Sequence, residues 1–176
     1  MTPGADAGTP GADARATWSA LADLYQGVIR TVVDRLEREA GIDSGTFSAL
    51  AYLERADPPG RLPLGELQRL LAVRYSQPGL SRLVQRMESD GLVSRRPSDH
   101  DRRASVVVVT RQGRARHRAA ASVYEAAIAA EFGRHLGPGE ADRLRMLLAK
   151  VERSRSAARA EPARRAPGAR GARRPR

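Results

Sequence analysis

Apolar residues recur at helical spacing along most of this chain. Trp18, Leu21, Tyr25, Val28, Ile29, Val32 and Leu36 follow spacings of three and four, with Asp23, Gln26, Arg30, Asp34 and Arg38 on the opposite side. This pattern predicts an amphipathic helix from about Ala14 to Glu39. It stops at Ala40-Gly41, where glycine can take the left-handed cap conformation. Asp43 suits the N-cap of a second helix with a Phe47, Leu50, Leu53 stripe, and Ile42 and Phe47 form a hydrophobic staple around it. DPPGR at 57–61 is a turn. Arg61-Leu62-Pro63 reads as a very short edge strand, a position that tolerates proline. A third helix, roughly Glu66 to Ala72, turns Leu67, Leu70 and Leu71 inward, with Gly65 at its cap.

The stretch from Gly65 to Thr110 organises the rest. Val73-Arg74-Tyr75 makes a turn and Ser76 caps a fourth helix, with Tyr75 and Leu80 placed as a second staple. Pro78 falls in the first turn, where its missing amide proton costs nothing. Leu80, Leu83, Val84 and Met87 form an i, i+3, i+4, i+7 stripe, and Gly91 ends the helix. Leu92–Arg96 and Ser105–Val109 read as two strands joined by the charged turn PSDHDRRA. Thr110 caps a fifth helix, about Arg111 to His135, with small residues at Ala115, Ala119, Ala120, Ala126, Ala127 and Ala130 that let two helices approach closely. LGPGE at 136–140 breaks it. Pro138 at a first helical position begins a sixth helix, with Leu144, Leu147, Leu148 and Val151 as its stripe. Residues 1–13 and those after about Ser156 lack periodicity and are expected to be disordered. The fold class is mainly α with a small β wing (α+β).

Composition changes this picture in two places. With 176 residues, 41% hydrophobic and 4% aromatic, the chain suits one domain with a core of Leu, Val and Ala. The net charge of +11 suggests a polyanionic partner, but it is unevenly placed. From Arg153 onward there are nine Arg and one acid, Glu161, so residues 1–152 keep only +3. The tail's charge therefore says little about what the folded part binds. There are no cysteines, no apolar run of membrane-spanning length and no secretory pattern at the N-terminus, so a cytoplasmic location is the expectation. His100, His117 and His135 lack ligand spacing, and no nucleophilic triad, carboxylate pair or phosphate-cradling glycine loop appears. Neither an enzyme nor a metal or other cofactor is expected.

Opposite the fourth helix's apolar stripe stand Gln77, Pro78, Ser81, Arg82, Gln85 and Arg86. Arg and Gln are the types that read base edges and hold phosphates, and a helix N-terminus itself suits a phosphate. An ordinary solvated face fits the same residues. The hairpin favours the first reading. Arg95, Arg96, Arg102 and Arg103 cluster there with Asp99, His100 and Asp101, and an Arg at such a tip can enter a narrow minor groove. Asp101 is placed to hold Arg103 by a charge-assisted bond.

The segments S-x-x-x-L-S-R-L-V-x-x-M-E-x-x-G-L-V at 76–93 and D-R-R-A-x-x-V-x-V-T at 101–110 resemble the MarR family of bacterial transcription regulators. The likeness extends over about residues 15–155. It implies a winged helix-turn-helix with long N- and C-terminal dimerisation helices, built on residues 14–156 with a DNA-binding lobe at about 61–110. It also implies a homodimer formed by the first, fifth and sixth helices. The fourth helix would enter the major groove of double-stranded DNA and the wing the adjacent minor groove. The implied DNA contacts fall on Ser76, Gln77, Pro78, Ser81 and Arg82 and on Arg103, with Asp101 as the orienting acid; Arg86 joins them from the face reading and Arg102 from the charged hairpin. Gly65 in place of a hydroxyl cap, and Gly79 near the helix start, depart from the pattern. Many members respond to small aromatic or lipophilic effectors. The corresponding crevice here would be lined by Trp18, Tyr25, Ile29, Phe47 and Leu50, although plain core packing is the favoured reading of those five.

The expected function is a sequence-specific regulator, a repressor rather than an activator, on a pseudo-palindromic operator. The alternatives are a non-sequence-specific architectural protein dominated by its basic tail, and an interaction module that has lost its operator. The tail, 157–176, itself has two readings: an arm that strengthens DNA binding by counterion release, or drift toward residues with GC-rich codons. Deleting 157–176 and measuring DNA affinity against salt separates them. The arm predicts a shallower slope after deletion, and an unchanged slope eliminates it.

Overall fold

The computed structural model describes residues 10–97 and 105–164. The chain divides into two compact units, one ending at Phe132 and the other beginning at Gly133. In the first unit the order is α1 (Pro10–Ala40), α2 (Ser44–Arg55), β1 (Arg61–Pro63), α3 (Leu64–Leu71), α4 (Gln77–Ser89), β2 (Val93–Pro97), β3 (Ser105–Val109) and α5 (Arg111–Glu131). The second unit holds a 3-10 turn (Gly133–His135) and α6 (Glu140–Arg164). No helix of the described residues is long and apolar enough to cross a membrane.

The core grows around α2. Ala49, Leu50 and Leu53 are fully buried, and Val32 and Leu36 of α1, Leu67 and Leu71 of α3, and the α4 stripe close over them. The sheet has the order β1-β3-β2 with both pairings antiparallel. Leu62 pairs with Val107 and Val93 with Val109, and all four side chains are buried. The sheet therefore contributes one apolar face to the core and leaves Arg95, Arg96 and Pro97 in solvent. α1 packs chiefly on α5. There the close approach rests on Ala120 and Ala127, seven residues apart and both fully buried, whereas Ala115, Ala119 and Ala126 are exposed. The expected alanine seam is thus narrower than the run of alanines suggests, because only the inward side of α5 is packed, against α1 and α2.

The caps form where local chemistry predicts them. Asp43, Ser76 and Thr110 each accept amide hydrogen bonds from the first turn of α2, α4 and α5. Gly41 and Gly91 take positive φ at the ends of α1 and α4. Other boundaries differ from expectation. α1 begins at Pro10, before the expected start at about Ala14. α3 begins at Leu64 behind Pro63, which gives no side-chain cap, so Gly65 lies inside the first turn. The ring of Pro63 fixes φ near the value a helix entry needs, and Glu66 in the first turn complements the helix dipole. α5 ends at Glu131 and gives way to the 3-10 turn, short of His135. α6 begins at Glu140 and not at Pro138, because Gly139 stands at φ +77 and the Glu140 carboxylate accepts from the Gly137 amide at 2.7 Å. It continues past Ser156 to Arg164, through residues rich in the strong helix formers Ala, Arg and Glu. Part of the segment expected to be disordered is therefore helical, and residues 1–9 and 165–176 lie outside the described residues.

Two apolar stretches are left uncovered. On α1 only the half from Val28 onward is packed, and Trp18 and Tyr25 are 70% and 50% exposed. In the second unit Leu147 and Val151 of the expected α6 stripe are 59% and 64% exposed.

The tightest backbone approach lies at the start of α5. The Thr110 hydroxyl donates to the carbonyls of Gly91 (2.7 Å) and Leu92 (3.1 Å) and accepts from the Gly113 amide (2.9 Å). Gly113 consequently lies so close to the Leu92 carbonyl that a Cβ would overlap it. Neither side of that contact is a flexible side-chain end. Gly113→Ala is expected to destabilise the protein by about 1–3 kcal/mol in denaturant unfolding, the range for forced overpacking. A variant as stable as the parent would contradict this packing.

Candidate nucleic-acid interface

Burial of one stripe decides what α4 presents. Leu80, Leu83, Val84 and Met87 are each at most 2% exposed. At 3.6 residues per turn this turns Gln77, Pro78, Ser81, Arg82, Gln85 and Arg86 outward, and all six are exposed. The helix start is built to hold its first turn: the Ser76 hydroxyl accepts from the Gly79 amide at 3.3 Å, and Pro78 occupies that turn. Tyr75, just before the cap, packs its phenol end against Gly45 of α2, where any Cβ would collide with it. Ser76, Gln77, Pro78, Ser81 and Arg82 thus lie together on one open surface at a positive helix end. Beside them is a recess of about 240 Å³ lined by Gly65, Gln68, Arg69 and Gln77 among others. A hydrogen-bonding surface of this kind suits a polyanion with readable edges.

Two ion pairs set the posture of α4. At its middle, Arg86 donates to Asp43 at 2.9 Å across to α2. The same carboxylate caps α2, accepting from the Gly45 and Thr46 amides (both 3.0 Å) and from the Thr46 hydroxyl (2.7 Å). Partial burial works against the Asp43 charge, but the Thr46 and Gly45 hydrogen bonds and the Arg86 charge outweigh it and hold its pKa below the ordinary range. Arg86, expected on the open face, is therefore engaged with the protein. At its end, Glu88 takes the Arg95 amide (3.0 Å) and guanidinium (2.8 Å). The Arg95 amide first, then its side chain, lower the Glu88 pKa. Arg95 thus fastens the base of the hairpin to α4 and is committed to that pairing. The remaining wing candidates, Asp101, Arg102 and Arg103, lie outside the described residues.

The five residues expected to line a crevice separate. Tyr25, Ile29 and Phe47 border a cleft of about 400 Å³ between α1, α2 and α5. Leu50 is fully buried in the core, and Trp18 lies off the cleft in solvent. The wall also contains Tyr52, Arg55, Arg74, His117 and Tyr124, none of which the sequence reading singled out for it. Phe47 stacks on Tyr124 with centroids 5.1 Å apart and meets His117 at 5.5 Å. The available signal was the spacing of His117 and Tyr124, which puts them on one face of α5 two turns apart. Partial burial lowers the His117 pKa. A larger opening of about 510 Å³ lies by the N-terminus of α2, and two of its polar side chains are engaged within the protein. Arg116 donates to the Gly41 carbonyl (2.7 Å) and Gln112 to the Asp90 carbonyl (3.1 Å). The smaller cleft has aromatic walls and cationic edges, the kind of lining that small-molecule sites use.

Comparison with known proteins agrees with this geometry. Residues 40–104 match the family model described as the MarR family. The transcriptional activatory protein BadR of Rhodopseudomonas palustris is 32% identical over 93 residues, 52% of this chain. The chain matches about half the length of that relative, 52%. Among solved structures, AbsC, a MarR family transcriptional regulator from Streptomyces coelicolor, superposes with a TM-score of 0.67 at 20% identity, covering 89% of this chain and 99% of that one. Sco3205 from the same organism, a MarR family regulator solved in complex with DNA, gives 0.67 at 22% identity, covering 81% and 88%. At these identities the structures speak to the fold, which is the winged helix.

Asp43 provides a test of the α4 posture. Asp43→Ala removes a cap and the Arg86 partner, and should cost about 1–2 kcal/mol in unfolding free energy. Because the folded pKa lies below the unfolded one, its contribution is complete above about pH 3.9 and is lost as pH falls through the lower folded value. Asp43→Asn should therefore show a flatter acid limb of stability than the parent. Identical acid limbs would sink the assignment.

Proposed function

From the match of residues 40–104 to the MarR family model and the winged-helix fold, we propose that this chain is a MarR-type DNA-binding transcription regulator that reads a pseudo-palindromic operator as a homodimer. The observation that carries this reading is the open Gln77–Arg82 surface at the capped start of α4, held by the Asp43 and Glu88 ion pairs. In this reading Ser76, Gln77, Pro78, Ser81 and Arg82 meet bases and phosphates in the major groove, with Arg86 beside them partly engaged by Asp43. The hairpin carries Arg102 and Arg103, with Asp101 orienting the latter, into the neighbouring minor groove. The uncovered apolar residues of α1 and α6 support a second copy of the chain as partner, since patches of this kind mark association surfaces. Two-fold symmetry then sets half-sites about one helical turn apart. The cleft bordered by Tyr25, Ile29 and Phe47 is the place for a small aromatic or lipophilic effector.

The direction of regulation has support on both sides. Release by an effector suits a repressor, our reading, whereas BadR is named an activatory protein. In vitro transcription from an operator-bearing template, with and without the protein, decides it. The basic tail sustains the architectural alternative, a non-specific binder. Selection of bound sequences from a random DNA pool tests the main reading. A recovered palindromic motif that resists random competitor by roughly 10³-fold or more supports it, and recovery of no motif favours the alternative. On that motif Arg82→Ala should cost about 1–3 kcal/mol and relax the base preference at its position. Arg103→Ala should weaken binding most on sites with AT-rich flanks. If both variants bind like the parent, these faces do not contact DNA.

A further inference from the structure

Three consecutive residues at the start of the presenting helix each hold a different element. Ser76 caps α4 itself. Tyr75 seats its phenol end on Gly45 of α2. Arg74 turns back and donates from Nη2 to the Tyr25 hydroxyl of α1 at 2.8 Å, a contact 49 residues away in sequence. The amides of Arg74 and Tyr75 both bond to the Leu71 carbonyl (2.9 and 3.0 Å), so the turn is short and its backbone directions are constrained. An exposed Arg one position before this staple would ordinarily be read as a phosphate contact. Here its side chain points along the wall of the aromatic cleft, which Arg74 and Tyr25 share with Phe47, Tyr52 and Tyr124.

We propose that Arg74 is a positioning residue acting inward: its bond to Tyr25 ties the turn before α4 to α1 across the cleft, and so sets where α4 stands when it meets DNA. The inference rests on the DNA-reading role of α4 proposed above. It adds a route by which the state of the cleft reaches the DNA surface. Any acceptor entering the cleft competes with the Tyr25 hydroxyl for the guanidinium, and losing that bond frees the turn from α1. The tie is exposed and its energy is modest, so its effect is on the placement of α4 and not on whether the domain folds.

The test uses the full-length protein and the motif recovered by selection, with affinities measured over a range of salt. Tyr25→Phe, which removes only the hydroxyl, and Arg74→Ala should each weaken binding by roughly 3- to 10-fold, the scale of one exposed hydrogen bond. The double variant should be no weaker than the weaker single one, because both changes open the same tie. Arg74→Lys, which keeps a donor, should bind more tightly than Arg74→Ala. With Tyr25→Phe in place, Lys and Ala at position 74 should bind alike, a dependence that general loss of structure would not produce. The salt slope should match the parent throughout. A Tyr25→Phe protein with parental affinity overturns the proposal, as do additive losses in the double variant. A slope reduced by about 0.9 in Arg74→Ala, the mark of one lost phosphate contact, also overturns it. A parent that binds no defined sequence sinks the regulator reading itself, a result separate from any of these.

Discussion

A 13-residue helix can bury one stripe, and α4 buries Leu80, Leu83, Val84 and Met87 against the α2-centred core. The rest of the molecule depends on that burial. The same four residues that join the helix to the core determine, by the 3.6-residue period, that Gln77, Ser81 and Arg82 face water. Burying four such side chains contributes of the order of 1.5–3 kcal/mol each before cavity and entropy terms, far more than any polar contact on the outer face. Rotation of α4 about its axis would expose that stripe, so the outward face cannot drift while the core is intact. A surface that must be the same every time it meets a ligand is obtained from packing on the opposite side of the helix.

Packing leaves the position along and across the groove less determined than the rotation. That remaining freedom is limited by weaker, directional contacts at the two ends and the middle of α4. Tyr75 and Ser76 act at the start, the Asp43–Arg86 pair in the middle, and the Glu88–Arg95 pair at the end, where the hairpin begins. Each partner is partly exposed, so each pair is worth little to stability alone. Their value is geometric. Asp43 illustrates this: the carboxylate is fixed by capping α2 and also receives Arg86, so α2 and α4 cannot shift past one another without giving up that ion pair. Glu88 does the same for the hairpin, since it holds both the amide and the guanidinium of Arg95.

What could be read from the sequence divides along the range of the interactions. Caps at Asp43, Ser76 and Thr110, the stops at Gly41 and Gly91, and the α4 stripe are set within a turn or two of chain, and local pattern revealed them. Strand pattern also revealed β2 and β3, and the family likeness supplied the winged architecture. Errors arose where a residue had two local roles or a distant partner. Pro63 both closes β1 and opens α3, which displaced Gly65 from the cap. Leu50 and Phe47 share a stripe, yet one is sealed in the core and the other forms cleft wall, a distinction made by α5 and not by α2. Arg86 and Arg95 looked available because their partners, Asp43 and Glu88, are 43 and 7 residues away and carry no pattern that announces the pairing.

Arg74, read from the sequence only as part of a turn, likewise has a distant partner, and it shows why charge near a binding surface is poor evidence of contact. A guanidinium on a flexible stem can swing toward either side of its helix, so sequence position leaves its target open. What decides the target is the best acceptor within reach, and here that is the Tyr25 hydroxyl at 2.8 Å. Tyr25 is itself half exposed, at the edge of the stretch of α1 whose apolar residues are left largely uncovered among the described residues. A second chain laid over that stretch would bury the tie from outside, while a small molecule in the cleft would attack it from within. The same bond would then be strengthened by association, since desolvation raises the strength of a charged hydrogen bond, and weakened by a competing acceptor. One contact of ordinary strength, placed between the two surfaces, is thus sufficient to make the position of α4 sensitive to both.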